Sequence, residues 1–201
     1  MVPVKTLSDL FQSAVAAWHT DGQPRTTDAL QVHALTLHRH NYDIWHEEDQ
    51  ARRRDVADQT IVQVKRTIDR LNQLRNDSIE KIDRHLLDII GGHANPDAPV
   101  NSETPGSIID RLSIISLRLF HMEEETRRPD ASGDHKVSCE KRLAVLREQH
   151  ADLVTALTRL LNDLSDGKKR LKVYRQFKMY NDPALNPALY RTQNTQGPSQ
   201  S

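Results

Sequence analysis

The stretch that decides the fold runs from residue 38 to residue 52 and reads His38-Arg39-His40-Asn41-Tyr42-Asp43-Ile44-Trp45-His46-Glu47-Glu48-Asp49-Gln50-Ala51-Arg52. Placed on a helix, one face carries Leu30, Ala34 and Leu37 and then continues in the same phase with Asn41, Trp45, Glu48 and Arg52. A core stripe thus turns polar without changing direction. Because polar groups removed from water need hydrogen-bond partners, we expect a buried or half-buried polar cluster between this helix and its neighbours.

The composition favours long, well-solvated helices over a compact sheet protein. Hydrophobic residues make up 36% of the chain, aromatic residues 4% and charged residues 28%. The sequence has no alternating run rich in Val, Ile and Thr that is bounded by turn residues, so no strand is predicted. The fold class is therefore all-α: an antiparallel bundle of long helices, with one helical domain over residues 1–190 and a disordered polar tail over residues 191–201.

Capping signals predict where four of the helices begin. Thr6 is predicted to cap the first helix, and Thr27 the second. Thr104, followed by Pro105 at the first helical position, predicts the start of a later helix. The last long helix is expected to begin near Ser138.

The segment from Asp28 to Ile90 contains no Gly or Pro. One unbroken helix over this range would be roughly 95 Å long, far beyond the usual length of a helix in a globular domain. Residues 52–58 carry little apolar content, and the stripe resumes slightly out of phase at Ile61. A turn or kink is therefore favoured there, although a straight helix that crosses solvent is the alternative.

Charge and cysteine usage limit the classes of function. Basic and acidic residues are equal in number, 28 of each, so no overall field attracts nucleic acid. No run approaches the length of a membrane span, and Met1–Lys5 does not resemble a secretory signal, so we expect the cytoplasm. A lone cysteine, Cys139, excludes a disulfide framework and a thiolate zinc site. The ten histidines are interpreted mainly as surface residues.

Four strings of the chain resemble the bacterial domain-of-unknown-function family 4254: residues 37–52, 71–77, 104–114 and 174–183. The likeness extends from about residue 8 to residue 190. It implies a bacterial, intracellular, helical protein without an established activity. It also implies an association with genes for cell-surface polysaccharides and glycosyltransferases. The family supplies no residue roles.

Our first hypothesis is a binding or accessory module with a polar pocket between helices, which recognises a small anionic ligand or a partner. Arginines beside core stripes, such as Arg52, Arg75 and Arg111, suit buried ion pairs or bidentate capture of phosphate or carboxylate. The candidate ligand-binding residues are Asn41, Trp45, His46, Glu48, Asp49, Arg52, Asn72, Arg75, Asn76, Asp110 and Arg111. This hypothesis assigns no metal ligands and leaves the cofactor unknown.

Two other hypotheses remain open. The first is a metal-dependent phosphohydrolase or transferase that uses Glu48, Asp49, Glu80 and Asp83, with His46 as the base. The second is a purely structural bundle in which the polar cluster only fixes helix register. Apolar stripes on thin helices are also compatible with a homo-oligomer.

Overall fold

The computed structural model describes residues 4–90, 95–174 and 182–189, and its described residues form an all-α bundle. The long helices are α1 Val4–Trp18, α2 Ala29–Ala51, α3 Asp58–Ile90, α4 Pro105–Arg127 and α5 Gly133–Ser165. Within the described ranges, the extended structure is a single parallel bridge between Val100 and Arg170. The predicted all-α class is confirmed, and the predicted tail over residues 191–201 lies outside the described residues.

The long segment after Asp28 is two helices rather than one. α2 ends at Ala51, and α3 begins at Asp58 after a short turn in which Arg53 forms an ion pair with Asp55. The favoured turn over residues 52–58 is therefore correct. It allows α3 to fold back along α2, so that both apolar stripes face the same core.

Contacts between side chains fix the directions of the helices. Between α2 and α3, His33 contacts His85 and His40 contacts Ser78. Between α4 and α5, Glu123 contacts Arg147 and Glu125 contacts His135. Between α2 and α4, His38 contacts Ser113 and Trp45 contacts His121. The first two helix pairs are antiparallel hairpins, whereas α2 and α4 run in the same direction. α1 packs against both hairpins through α2, α4 and α5.

The core lies between the two hairpins and α1. Its largest fully buried side chains are Leu7, Phe11, Leu37, Ile82, Ile109, Leu112, Leu157 and Leu164. Each comes from an apolar stripe with helical spacing, as an amphipathic helix requires. Polar residues on the same faces are therefore placed at or beside this core.

Three of the predicted helix starts are wrong. α1 already includes Val4, which is buried in the core, so packing carries the helix past the predicted cap at Thr6. The cap of α2 is Asp28 rather than Thr27, because its Oδ1 accepts the backbone N–H of Gln31 at 2.9 Å. α5 starts at Gly133 instead of near Ser138, and Ser132 caps it by accepting the N–H of His135.

The predicted start of α4 at Thr104 and Pro105 is confirmed. The Thr104 hydroxyl accepts the Ser107 N–H, and the Ser107 hydroxyl oxygen accepts the Thr104 N–H, which forms a reciprocal capping box. The next residue in this turn, Gly106, packs directly against α3. An added Cβ there would lie 2.7 Å from the carbonyl oxygen of Ile79, so the close approach of α3 and α4 requires glycine.

None of the helices in the described part of the chain is both long enough and apolar enough to cross a membrane.

Candidate functional site: a polar cavity between α2, α3 and α4

The polar face of α2 enters the core through two buried side chains, His38 and Asn41. The Asn41 Nδ2 donates to Ser113 Oγ and to Asp110 Oδ1, both at 2.9 Å. His38 contacts Ser113 Oγ through Nδ1 at 2.7 Å and the Phe11 carbonyl oxygen through Nε2 at 3.0 Å. Helices α1, α2 and α4 are therefore joined by one buried network of hydrogen bonds.

The protonation state of His38 follows from its partners. A carbonyl oxygen only accepts, so Nε2 must carry the proton and donate to Phe11. Burial lowers the pKa of His38 to about 3, so the ring is neutral and Nδ1 accepts from the Ser113 hydroxyl. The network then has a single direction, in which the Ser113 oxygen accepts from Asn41 and its hydrogen is donated to His38.

Arg75 of α3 completes this network. Its Nε donates to Asp110 Oδ1 at 2.8 Å, and its Nη2 donates to Asp110 Oδ2, which is a bidentate pair. The Asp110 side chain is 6% exposed and the Arg75 side chain 27%. Arg75 is thus anchored by Asp110, and no other partner of its guanidinium N–H groups lies among the described residues. The hydrogen bond with Asp110 raises the pKa of Arg75.

A cavity of about 370 Å³ lies outside Arg75, between α2, α3 and α4. Six of the predicted site residues line it: Asn41, Trp45, Glu48, Asp49, Arg52 and Arg75. Glu48, in the last turn of α2, and Arg52, which follows the helix, form an exposed ion pair at 2.8 Å. The polar continuation of the α2 stripe therefore forms one wall of a real concavity.

The other five predicted residues are not in the cavity wall. Asp110 lies behind Arg75 as its partner, as described above. Asn72 donates to the Ile68 carbonyl of its own helix, and Asn76 is half-buried on α3. Arg111 precedes the part of α4 that lines the cavity, and it forms an ion pair with Glu103 at 2.7 Å. His46 faces His19 and His121 instead.

The remaining residues of the wall were not predicted from the sequence: Ile44, Ile114, Leu117 and Arg118. Arg118 is exposed and has no ion pair among the described residues. It follows Arg111 by seven residues, which places both arginines on one face of α4. That heptad spacing was the available signal, and it would have added Arg118 to the candidate residues.

A second cavity of about 420 Å³ adjoins the first at the same end of the bundle. The two share Trp45, Asp49 and Arg118, and the second is also lined by His121 and Met122. The Trp45 ring is held in place by stacking on His121, with ring centroids 4.8 Å apart and planes 9° from parallel. Trp45 therefore presents a fixed aromatic surface at the junction of the two cavities.

The carboxylates of the enzyme hypothesis do not come together in the described residues. Glu48 and Asp49 belong to the cavity wall. Asp83 is buried against the start of α4, where its Oδ1 accepts the Gly106 N–H at 2.7 Å, and burial raises its pKa. Glu80 forms an ion pair with Arg84 on α3. Asp83 thus supports the α4 terminus, and the four carboxylates form no cluster with metal-ligand spacing in the described chain.

The fold and this site define an all-helical bundle with a polar cavity between helices. The family model described as "Protein of unknown function (DUF4254)" matches residues 31–173, and the chain belongs to that family. The match is shorter than the resemblance over residues 8–190 and leaves out residues 174–183, of which 175–181 are also outside the described structure. No curated protein and no solved structure matches the chain.

Proposed function

We propose that this protein is a binding or accessory module whose cavity between α2, α3 and α4 takes a small anionic ligand that bears phosphate and sugar groups. The observation that carries the proposal is the cavity of about 370 Å³ with Arg75 and Arg118 in its wall. This volume falls within the range of small-molecule sites, which is about 300–1,000 Å³.

The arginines of the wall can supply hydrogen-bond donors to an anion. Three arginines, Arg52, Arg75 and Arg118, face two carboxylates, Glu48 and Asp49. Arg52 and Glu48 already neutralise each other at the rim. Arg75 is oriented by Asp110 from behind, and Arg118 has no ion-pair partner in the described part of the chain. A phosphate placed between Arg75 and Arg118 would receive the planar, bidentate donors that guanidinium groups supply.

The remaining lining residues fit a sugar. Trp45 offers a rigid aromatic surface against which the apolar face of a sugar ring can pack. The Asp49 carboxylate and the side-chain oxygen of Asn41 can accept hydrogen bonds from the hydroxyl groups of the sugar. Ile114 and Leu117 supply the apolar part of the wall. This combination of many apolar contacts and a few convergent polar groups is typical of ligand sites.

The geometry supports this proposal over the two alternatives. A purely structural cluster would pair its polar groups internally and leave no cavity. His38, Asn41 and Asp110 are paired in this way. The same face of α2 nevertheless borders a cavity at Trp45 and Glu48. A carboxylate-dependent phosphohydrolase would need acidic groups from two helices within reach of one ion. Asp83 is instead bound to the α4 amide.

The cellular setting is part of the same proposal. The resemblance and the family membership are compatible with a bacterial cytoplasmic protein that assists the assembly of cell-surface polysaccharide. A phosphorylated sugar is the chemical class that such assembly consumes. We further propose one helical domain over residues 1–190, no binding to nucleic acid in view of the balanced charge, and a homo-oligomer as a compatible state.

The experiment is an NMR titration of the full chain that follows the indole N–H of Trp45. The probes are inorganic phosphate, glucose and glucose 1-phosphate, added separately. We expect a saturable shift with glucose 1-phosphate and a weaker one with phosphate, because phosphate engages the arginines alone. Native mass spectrometry of the protein purified without added ligand would identify any co-purified phosphosugar.

The matched control is Arg111→Gln, which removes an arginine that lies two turns before Arg118 on α4 and outside the cavity wall. We expect it to bind the probes like the unaltered protein, whereas Arg118→Gln binds more weakly. The proposal is wrong if none of the three probes shifts the Trp45 signal and no small molecule co-purifies.

A further inference from the structure

Three imidazoles from three separate parts of the chain converge beside the cavities. His19 follows the last residue of α1, His46 lies on α2 and His121 lies on α4. Their ring centroids are 5.3 to 5.9 Å apart. One nitrogen from each ring lies within 4.8 Å of the nitrogens of the other two. Histidines so far apart in sequence meet here only because α1, α2 and α4 run in the same direction.

Hydrogen bonds determine which nitrogen carries the proton on two of these rings. The Nδ1 of His19 lies 2.8 Å from the Val15 carbonyl oxygen, which only accepts, so Nδ1 carries the proton and Nε2 has the free lone pair. The Nδ1 of His121 lies 2.8 Å from Glu124 Oε2, and donation to this carboxylate likewise leaves the lone pair on Nε2. Histidines that bind metals usually have such a partner on the second nitrogen.

The free nitrogens are also buried without a partner. The Nε2 atoms of His46 and of His121 are removed from solvent, and neither has a hydrogen-bond partner among the described residues. A buried polar atom without a partner is costly. Two such atoms on neighbouring rings need a shared partner, which is either a water molecule or a cation that accepts lone pairs. The convergence of a third imidazole nitrogen on the same point favours the cation.

The surroundings would shield a bound ion on several sides. The His46 ring contacts Tyr42, with centroids 4.4 Å apart, and Phe120 stacks on His19 at 4.7 Å. Trp45 covers one face of His121. The His19 side chain itself is exposed, which provides a path for an ion from solvent.

We propose that His19, His46 and His121 bind one divalent transition-metal ion, with zinc the best match. Neutral imidazoles suit zinc and its neighbours, whereas magnesium and calcium require oxygen ligands. Three histidines leave a fourth tetrahedral position for water. The three histidines lie outside the wall of the cavity between α2, α3 and α4, although His121 stacks on Trp45 of that wall. The proposed site departs from the first hypothesis of the sequence analysis, which assigned no metal ligands.

The geometry needs a modest adjustment to close around an ion. Zinc–nitrogen bonds of about 2.0–2.1 Å place the ligand atoms of a tetrahedral site roughly 3.3 Å apart. The three histidine nitrogens lie within 4.8 Å of one another, so they must move closer together to bind an ion. His19 lies beyond the end of α1 and is exposed, so its ring can move inward by a small side-chain rotation.

The experiment is a Co²⁺ titration of the full chain, purified without a polyhistidine tag and stripped with chelator. Visible absorption reports the coordination geometry of Co²⁺, and Zn²⁺ is then added as a competitor. We expect one equivalent to bind with a tetrahedral spectrum and to be displaced by Zn²⁺. The variants His46→Asn and His121→Asn should each bind at least a hundredfold more weakly. Glu124→Ala should bind about tenfold more weakly, because it removes the partner of His121 Nδ1.

Two matched controls locate the site. His33→Asn removes a histidine from another ring pair, His33 with His85, and should bind normally. His135→Asn tests the other group with ligand spacing, formed by Glu125, His135 and Cys139, and should also bind normally. Circular dichroism checks the fold of each variant. If His46→Asn and His121→Asn both unfold, the exposed His19→Asn variant decides the question. The proposal is overturned if the unaltered chain binds neither metal, or if loss of these histidines leaves the affinity unchanged.

Discussion

The two halves of the polar face of α2 behave differently, although they lie within two helical turns of each other. Around Asn41, the hydrogen bonds form a closed network with Ser113, Asp110 and Arg75. Around Trp45 and Glu48, the same face borders a cavity, and its ion pair with Arg52 is local to the helix. The α2 residues in the two regions are of similar polar and aromatic types, so the α2 side chains alone do not explain the contrast.

The residues of α4 that face each region explain the difference. Opposite Asn41, α4 supplies Ser113 and Asp110, which accept its hydrogen bonds. Around Trp45 and Glu48, α4 supplies Ile114 and Leu117, whose side chains have no polar atoms, and the exposed Arg118. Mutations should therefore reduce stability in the closed region and ligand binding in the open one.

The largest effect on stability is expected from Asp110→Asn in the closed region. Removing one member of a buried ion pair leaves the other charge without its partner, which typically costs 3–5 kcal/mol. Because Arg75 is 27% exposed and can regain some water, we expect a loss of about 3 kcal/mol in the free energy of unfolding. Urea denaturation measures it. A loss below about 1 kcal/mol would show that the network does not stabilise the fold.

Acidification should have the next largest effect, through His38. The unfolded chain takes up a proton near the ordinary pKa of 6.5, whereas the folded chain does so only near 3. Between these values the unfolded state binds more protons, so stability falls as the pH falls through this window. The loss is about 2 kcal/mol at pH 5 from this group, and His40, His46 and His150, whose pKa values burial also lowers, act in the same direction.

The control for acidification is His38→Gln, which has no titrating ring. It should lower stability at pH 7 but flatten the dependence on pH between 4 and 6.5. The measurement is the free energy of unfolding in urea at several pH values. An unchanged slope in this variant would contradict the assignment to His38.

A small effect is expected from Glu48→Gln at the cavity rim. The pair with Arg52 is exposed, with side chains that are 43% and 70% accessible. Pairs of this kind contribute about 0.2–1 kcal/mol, so the loss in urea denaturation should be well below that of Asp110→Asn. A loss equal to that of Asp110→Asn would remove the distinction between the closed and open regions.

The smallest effect on stability is expected from Arg118→Gln, which should be neutral within about 0.5 kcal/mol. Its side chain is exposed and has no ion pair in the described structure. The change should instead weaken binding of glucose 1-phosphate by about 10- to 100-fold, since a charge-assisted hydrogen bond is worth roughly 1.5–3 kcal/mol. Isothermal titration calorimetry measures it. Lost stability with unaltered binding would contradict the assignment of Arg118 to the ligand.

Much of the architecture could be predicted from local pattern. The apolar stripes predicted the helices, and Thr104 followed by Pro105 predicted the start of α4. The charged segment over residues 52–58 predicted the turn between α2 and α3. The helix starts at Thr6, Thr27 and Ser138 were wrong because nearby residues with better packing or capping took their place. The polar continuation of the α2 stripe correctly placed Asn41 and Trp45 between helices.

The composition of the site was harder to predict, because it depends on which helices meet. His46 was grouped with Glu48 in the sequence analysis. Residues that are two positions apart on a helix differ by about 200° in direction, so these two side chains point to different neighbours. Arg111 follows Asp110 by one residue and is turned away from it for the same reason. The grouping of His19 with His121 had no local signal at all, because 102 residues separate them in sequence and only the shared direction of α1 and α4 brings them together.

The hydrogen bond between Ser8 and His150 has a consequence for how the chain is made. It joins positions 142 residues apart and ties α1 to α5. While the ribosome is still producing the α2–α3 hairpin, the apolar side of α1 has only part of its final surroundings. α1 is thus translated well before α4 and α5, which complete its cover, and we expect chaperones that hold nascent polypeptides to act on Val4–Trp18.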